Sequence, residues 1–220
     1  MSDVVKGDRG RAVFDRQAIP EGGARIFFVR HGEVHNPGGI FYGRLPRFRL
    51  SATGERQAEA AAAVLAAEPL AAIFTSSLLR ARQTGQIIAR EHPTAPVGVS
   101  RAIVEIRSSL QGSLTATLDT TDWNFYEPLP HDDDETIAMI AARIARFCQL
   151  VVRRYPGQTV AAVTHGDILA VARASFEGWP LVLASLRGEV YPATASILRV
   201  TLGPNLTAAD VAYLKPWEPD

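Results

Sequence analysis

Two histidines and two arginines stand at, or just beyond, the ends of apolar runs. Arg30-His31 follows the run 26–29, Arg80 comes a few residues after 71–75, and His165 directly follows 159–164. Each run is short, continuous and rich in β-branched or other apolar residues, as in strands buried on both faces. Parallel strands of one sheet share a carboxyl edge, where open α/β sheets bind ligands, so the four side chains can converge. Two imidazoles and two guanidinium groups around one point make an anion site, and the planar guanidinium fork suits phosphate. A neutral imidazole there can also act as a nucleophile toward phosphorus near pH 7.

The elements that must carry these residues are readable in order. Residues 1–23 mix charge, glycine and proline and read as a flexible leader that docks late on the domain. A long loop, 33–50, follows the first strand and holds Asn36, Arg44, Arg47 and Arg49; loops of this length inside a domain are commonly functional. Ser51 is positioned to cap a helix whose Ala58, Ala61, Ala62 and Leu65 share one face. Ser76-Ser77 are capping residues before a helix over 78–91, which places Arg80 in its first turn. Residues 97–99 and 102–105 read as short extended pieces, the second ending on Glu105. Periodicity is lost over 106–134, where Trp123, Phe125 and Tyr126 sit among acids, as in a lid or pocket wall of low local order. The helix over 135–155 has an apolar stripe from Ile137 to Val151, with aspartates 132–134 before it and Arg153-Arg154 at its end. A helix follows over 168–176, then a hairpin of 196–202 and 208–214. The order predicts an α/β fold: a three-layer αβα sandwich whose mostly parallel sheet carries an antiparallel edge hairpin, one domain over 24–220.

The motifs, taken together, resemble a known family. Arg30-His31-Gly32-Glu33 with Asn36, Leu50-Ser51 with Gly54 and Gln57-Ala58, Ser76-Ser77-Leu78-Leu79-Arg80-Ala81-Arg82-Gln83-Thr84, and Val163-Thr164-His165-Gly166 occur in the order of the histidine phosphatase superfamily, also called phosphoglycerate-mutase-like. The resemblance implies that His31 is the nucleophile that becomes phosphohistidine. It implies that Arg30, Arg80 and His165 hold the phosphoryl oxygens, with Asn36 as a further contact. Glu105, within Ile103-Val104-Glu105-Ile106, matches the acid that protonates the leaving oxygen and then activates water. The stretch after it departs from the family pattern: Arg107-Ser108-Ser109-Leu110-Gln111-Gly112 keeps only the terminal glycine. Asp167, two residues past His165, is a rival acid by resemblance to a distant branch of the superfamily that places an aspartate beside its second histidine. Arg44 is a candidate contact for the substrate, with solvated loop arginine as the plain alternative, and Arg47 and Arg49 read as solvated. The family needs neither metal nor cofactor for this chemistry.

Composition narrows the rest. The 220 residues hold 23 basic and 23 acidic side chains, so no charge excess points to nucleic acid or a membrane surface. A single cysteine, Cys148, excludes an internal disulfide framework and fits a cytoplasmic setting; on the apolar face of its helix it reads as core. His35, His92 and His131 have no matching partners and read as surface residues. The expected partner is a small phosphomonoester, and the edge hairpin with Trp217 offers a surface for a homo-oligomer. Three readings stay open: a phosphatase of the superfamily, a phosphomutase of the phosphoglycerate mutase type, and a non-catalytic phospho-ligand-binding domain. The modest interval from Glu105 to His165 favours the phosphatase.

Overall fold

The computed structural model describes residues 4–6, 12–15, 17–188 and 191–217. The strands are β1 (Val4–Lys6), β2 (Ala12–Phe14), β3 (Ala24–Arg30), β4 (Leu70–Thr75), β5 (Val97–Val99), β6 (Thr159–Thr164), β7 (Ile197–Leu202) and β8 (Ala208–Leu214). The helices are α1 (Ala52–Leu65), α2 (Leu79–Arg90), α3 (Thr115–Asp119), α4 (Ile137–Arg154) and α5 (Gly166–Glu177). Six strands form one sheet in the order β5-β4-β6-β3-β7-β8. The first four run parallel, and β7 and β8 continue the sheet antiparallel. This is the predicted mostly parallel sheet with its edge hairpin.

Alternate residues of β3 explain the three layers, because successive side chains point to opposite faces. Ile26 and Phe28 enter a core shared with α4 and α5, whereas Phe27 and Val29 enter one shared with α1 and α2. The stripe read on the long helix is buried as expected, Cys148 included. Burial pushes the Cys148 thiol up to about 12, which leaves it an inert core group at neutral pH. Among the described residues, no helix is long and apolar enough to cross a membrane.

Three local expectations are corrected. Residues 102–105 are not extended: Arg101–Ile103 form a 3₁₀ turn, started by Ser100, whose hydroxyl accepts from the Ala102 N–H at 3.3 Å. The cap of α2 is not supplied by Ser76 or Ser77, since Leu78 stands at the cap position with no side-chain bond. The aspartates 132–134 stand ahead of the α4 cap, Thr136, which accepts from the Met139 N–H at 3.1 Å, and Asp134 accepts from Ser109 N and Oγ at 2.6 and 2.9 Å, joining the two ends of the 106–134 segment. His92 is buried rather than on the surface, while His35 and His131 are exposed.

The segment 106–134 holds more structure than its sequence pattern predicts. It contains α3, and Leu118, Phe125 and Tyr126 are buried in the core on the α4–α5 side. Isolated anchors of this kind leave no periodic trace. Of the expected leader, β1 and β2 pair antiparallel, and Phe14 packs against Phe27 with ring centroids 5.3 Å apart. Residues 1–3, 7–11 and 16 of that stretch lie outside the described residues.

Candidate active site

The sheet register brings the strand ends level. Arg30 pairs with Thr164 across β3 and β6, and Thr75 pairs with Val163 across β4 and β6. The next residues, His31, His165 and Ser76, therefore leave the same edge, and the first turn of α2 brings Arg80 to it. The His31 and His165 rings lie 5.2 Å apart, edge to face. Two glycines permit this crowding. A Cβ on Gly32 would come within 2.2 Å of the Gly54 carbonyl oxygen, so its role is close approach to α1. A Cβ on Gly166 would meet Tyr191 Oη at 2.2 Å and Arg30 Cζ at 3.2 Å.

Hydrogen bonds define the tautomer of His31. Its Nδ1 lies 2.7 Å from the Gly32 carbonyl oxygen, which can only accept, so Nδ1 carries the proton. Its Nε2 accepts from Arg80 Nε at 3.0 Å and so presents a lone pair. Burial, then the charges of Arg80 and Arg30, hold the His31 imidazole well below the usual histidine range, which keeps it neutral. His165 is held low for the same reasons: burial first, then Arg80 and the groups around it. Ser76 Oγ lies 2.7 Å from His165 Nε2 and also accepts from the Leu78 N–H at 3.4 Å. Donation of the Ser76 proton to Nε2 corresponds to the His165 tautomer that carries its proton on Nδ1.

Three buried nitrogens here have no hydrogen-bond partner: Arg30 Nε, Arg80 Nη1 and His165 Nδ1. Each guanidinium is also held elsewhere. Arg80 Nη2 donates to the Gly43 carbonyl at 2.8 Å and its plane lies over the Tyr42 ring, while Arg30 Nη1 donates to the Pro192 carbonyl. Buried donors are seldom left unsatisfied, and unpartnered nitrogens on three side chains grouped with His31 are chemically able to take up an anion.

Glu105 closes the group. Its Oε2 lies 3.7 Å from His165 Nδ1 and 4.0 Å from Arg80 Nη2. Burial, and then the nearby charge of Asp167, push its carboxyl up to about 7 against the pull of Arg80. A network beyond the cavity holds it in place. Arg44 Nε and Arg143 Nη2 donate to the Glu105 carbonyl at 2.7 and 3.5 Å, and both arginines also pair with Glu135.

Above the site opens a cavity of about 510 Å³. Arg30, His31, Asn36, Glu105 and Asp167 line it, and Arg44 does not. Arg44 is thus a strap on the Glu105 segment rather than part of the cavity wall. Arg47 and Arg49 are exposed. Both polar atoms of the Asn36 amide are engaged by the backbone of Ile40, at 2.8 and 3.3 Å, so it shapes the loop at the cavity wall. Asp167 is ion-paired to Arg187, which also donates to the Trp123 carbonyl at 3.0 Å. Arg187 and Tyr191 line the cavity and were not foreseen: they lie between the α5 pattern and the final hairpin, in a stretch with no periodicity. The sequence marks Ser76 as a capping residue, and nothing in it distinguishes that role from a partner of His165. Among the described residues, no cluster of three or more His, Cys, Asp or Glu side chains is arranged to hold a metal ion.

Residues 26–208 match the family described as "Histidine phosphatase superfamily (branch 1)". The chain belongs to the histidine phosphatase superfamily. One relative, the uncharacterized protein Rv0525 of Mycobacterium tuberculosis, is 37% identical over 147 residues, 64% of this chain and 72% of that protein. Among solved structures, YhfR of Bacillus stearothermophilus superposes with a TM-score of 0.73 at 24% identity, covering 84% of this chain and 94% of that one. A mycobacterial glucosyl-3-phosphoglycerate phosphatase, Rv2419c, gives 0.70 at 23% identity, covering 87% and 97%. These superpositions show that the fold is shared with those two proteins.

Proposed function

We propose that this member of the superfamily is a metal-independent phosphomonoesterase that hydrolyses a small phosphorylated metabolite through phosphohistidine. The observation that carries the reading is the trio of unpartnered buried nitrogens on the side chains grouped with His31, whose Nε2 lone pair meets only Arg80 Nε. His31 Nε2 attacks phosphorus while Arg30, Arg80 and His165 Nδ1 take the equatorial oxygens, stabilising the charge that develops there. For this, Arg80 Nε gives up its bond to Nε2 and turns to the phosphoryl group. The P–O bond breaks with its electron pair on the leaving oxygen, which takes a proton from Glu105. Glu105, now a carboxylate, removes a proton from water as the water attacks phosphorus. The P–N bond then breaks and its pair returns to Nε2, releasing phosphate.

Two features favour Glu105 over Asp167 as the acid. Glu105 carries its proton near neutral pH and faces the catalytic histidines, whereas Asp167 is engaged by Arg187. That a structural neighbour is a glucosyl-3-phosphoglycerate phosphatase agrees with hydrolysis rather than transfer.

The test is release of p-nitrophenol from p-nitrophenyl phosphate in the presence of a chelator, beside His31→Ala. Turnover should survive the chelator and vanish in the variant, and a quenched reaction should hold acid-labile phosphate on His31. Absence of turnover on a panel of phosphomonoesters, with no labelled histidine, would overturn the proposal. Isomerisation of phosphoglycerate primed by a bisphosphate would convert it into the mutase reading.

A further inference from the structure

We infer that the alcohol portion of the substrate is a flat apolar group, aromatic in the best case, that carries no second negative charge. The inference rests on the phosphatase reading and assigns the substrate class of the same site.

The cavity is much larger than a phosphoryl group needs. Pockets of roughly 300–1,000 Å³ hold whole drug-sized ligands, and this one measures about 510 Å³. Its floor is Arg30 and His31, and one wall is aromatic. Phe41 and Phe125 stack with centroids 4.6 Å apart at 18°, and Trp123 stands perpendicular to both at 6.3 and 6.0 Å. The wall is held at a cost to the backbone. Asp122 and Trp123 are consecutive non-glycine residues at φ 49° and 53°, a conformation uncommon for any such residue and rarer for a bulky one. The Trp123 carbonyl accepts from Arg187 and its indole N–H donates to Asp119 at 2.6 Å, so the ring is fixed from both sides. Backbone strain of this kind concentrates where it presents a functional group.

Charge points the same way. The only arginines or lysines lining the cavity, among the described residues, are Arg30 and Arg187. Arg30 belongs to the phosphoryl cradle, and Arg187 is consumed by Asp167 and the Trp123 carbonyl. The remaining charged groups in the lining are the acids Glu33, Glu105, Asp122 and Asp167. A second anionic group would be desolvated with no free cation to meet it, while a flat ring gains the aromatic wall.

The experiment compares kcat/KM for three phosphates of primary alcohols, so that leaving-group chemistry is similar: 2-phenylethyl phosphate, glycerol 3-phosphate and 3-phosphoglycerate. Burying the phenyl ring should favour the first over the second by roughly tenfold or more, and the carboxylate should place the third last. Trp123→Ala should shrink the phenylethyl preference, and the wild-type ranking stands as evidence even if that variant folds poorly. Equal rates for the first two, or 3-phosphoglycerate as the best of the three, would overturn the inference while His31-dependent turnover of p-nitrophenyl phosphate leaves the phosphatase reading intact. Failure on every phosphate, with no phosphohistidine, would overturn both.

Discussion

In the proposed cycle Glu105 holds a proton when the leaving oxygen departs and gives it up so that it can take one from the attacking water. A carboxyl pushed up to about 7 by burial and then by Asp167 is suited to both halves of the cycle. With a poor leaving group, where proton donation limits the rate, kcat should fall as pH rises through about 7, because only the protonated form donates. Glu105→Gln should lose on the order of 10²–10⁴ in kcat on such substrates, and much less on p-nitrophenyl phosphate, whose leaving group needs little help. Asp167→Asn removes a charge that raises the Glu105 carboxyl. If Glu105 is the acid, the variant keeps its activity at low pH and its alkaline limb moves to lower pH; an equal loss at all pH values would make Asp167 the donor. The same group couples to folding. A carboxyl raised above its unfolded value binds a proton more tightly in the folded state, so its stabilising effect is present at low pH and lost as pH rises from about 4.5 through about 7. Glu105→Gln should therefore melt above the wild type at pH 8.5 and converge with it below pH 4, measured by thermal denaturation. At this scale the sequence was informative where residue type and strand end coincided, as at Arg30, His31, Arg80 and His165. It was silent on Ser76 and Arg187, whose partners are distant in the chain and arise only from packing.

The elements matter because Glu105 is not on a strand or a regular helix. It follows the 3₁₀ turn Arg101–Ile103, and its position is set from outside by contacts to neighbouring segments. Thr164 Oγ1 donates to the Ile103 carbonyl at 2.8 Å, while Arg44 and Arg143 grip the Glu105 carbonyl and are gripped in turn by Glu135. Glu135 also accepts from the Arg107 N–H at 2.8 Å, so one carboxylate spans the loop after β3, the lid and α4. Glu135→Ala leaves the buried Arg143 without its ionic partner, a change that typically costs about 3–5 kcal/mol. Urea unfolding should show that loss. Strands and long helices were readable because their burial repeats with a period. The turn at 101–103 and the lid are too short or too irregular to leave such a period, so the chain was read as extended in one place and poorly ordered in the other.

Across the whole molecule, the two faces of the sheet are covered differently. On one face α4 and α5 share a core with the lid. On the other, α1 and α2 lie over the parallel strands, and β7 turns the polar Arg199 and Thr201 to the same side as Ile197. Phe14, Asp15 and Gln17 meet this part of the sheet. Phe14 joins the α1–α2 core, its ring lies 5.0 Å from the Arg199 guanidinium, and Asp15 pairs with Arg199 at 2.6 Å opposite Asp210 at 2.8 Å. Arg25, at the start of β3, donates to Thr201 Oγ1 at 3.1 Å and to the Gln17 carbonyl, tying the incoming chain to the same spot. Glycines and charges surround Phe14 and Asp15 in the sequence, so no local pattern marks them as part of the fold. We propose that this N-terminal segment is a structural cover for the antiparallel half of the sheet, remote in role from catalysis. Phe14→Ala should then destabilise the protein by about 3 kcal/mol, the low end for a buried phenylalanine, seen as a lower urea midpoint with an unchanged slope. Its kcat/KM on p-nitrophenyl phosphate should stay within roughly twofold of wild type, since sites far apart with no shared partners act independently. Unchanged stability would mean that the segment only rests on the domain, and a large loss of activity in the folded variant would mean that the cover reaches the site.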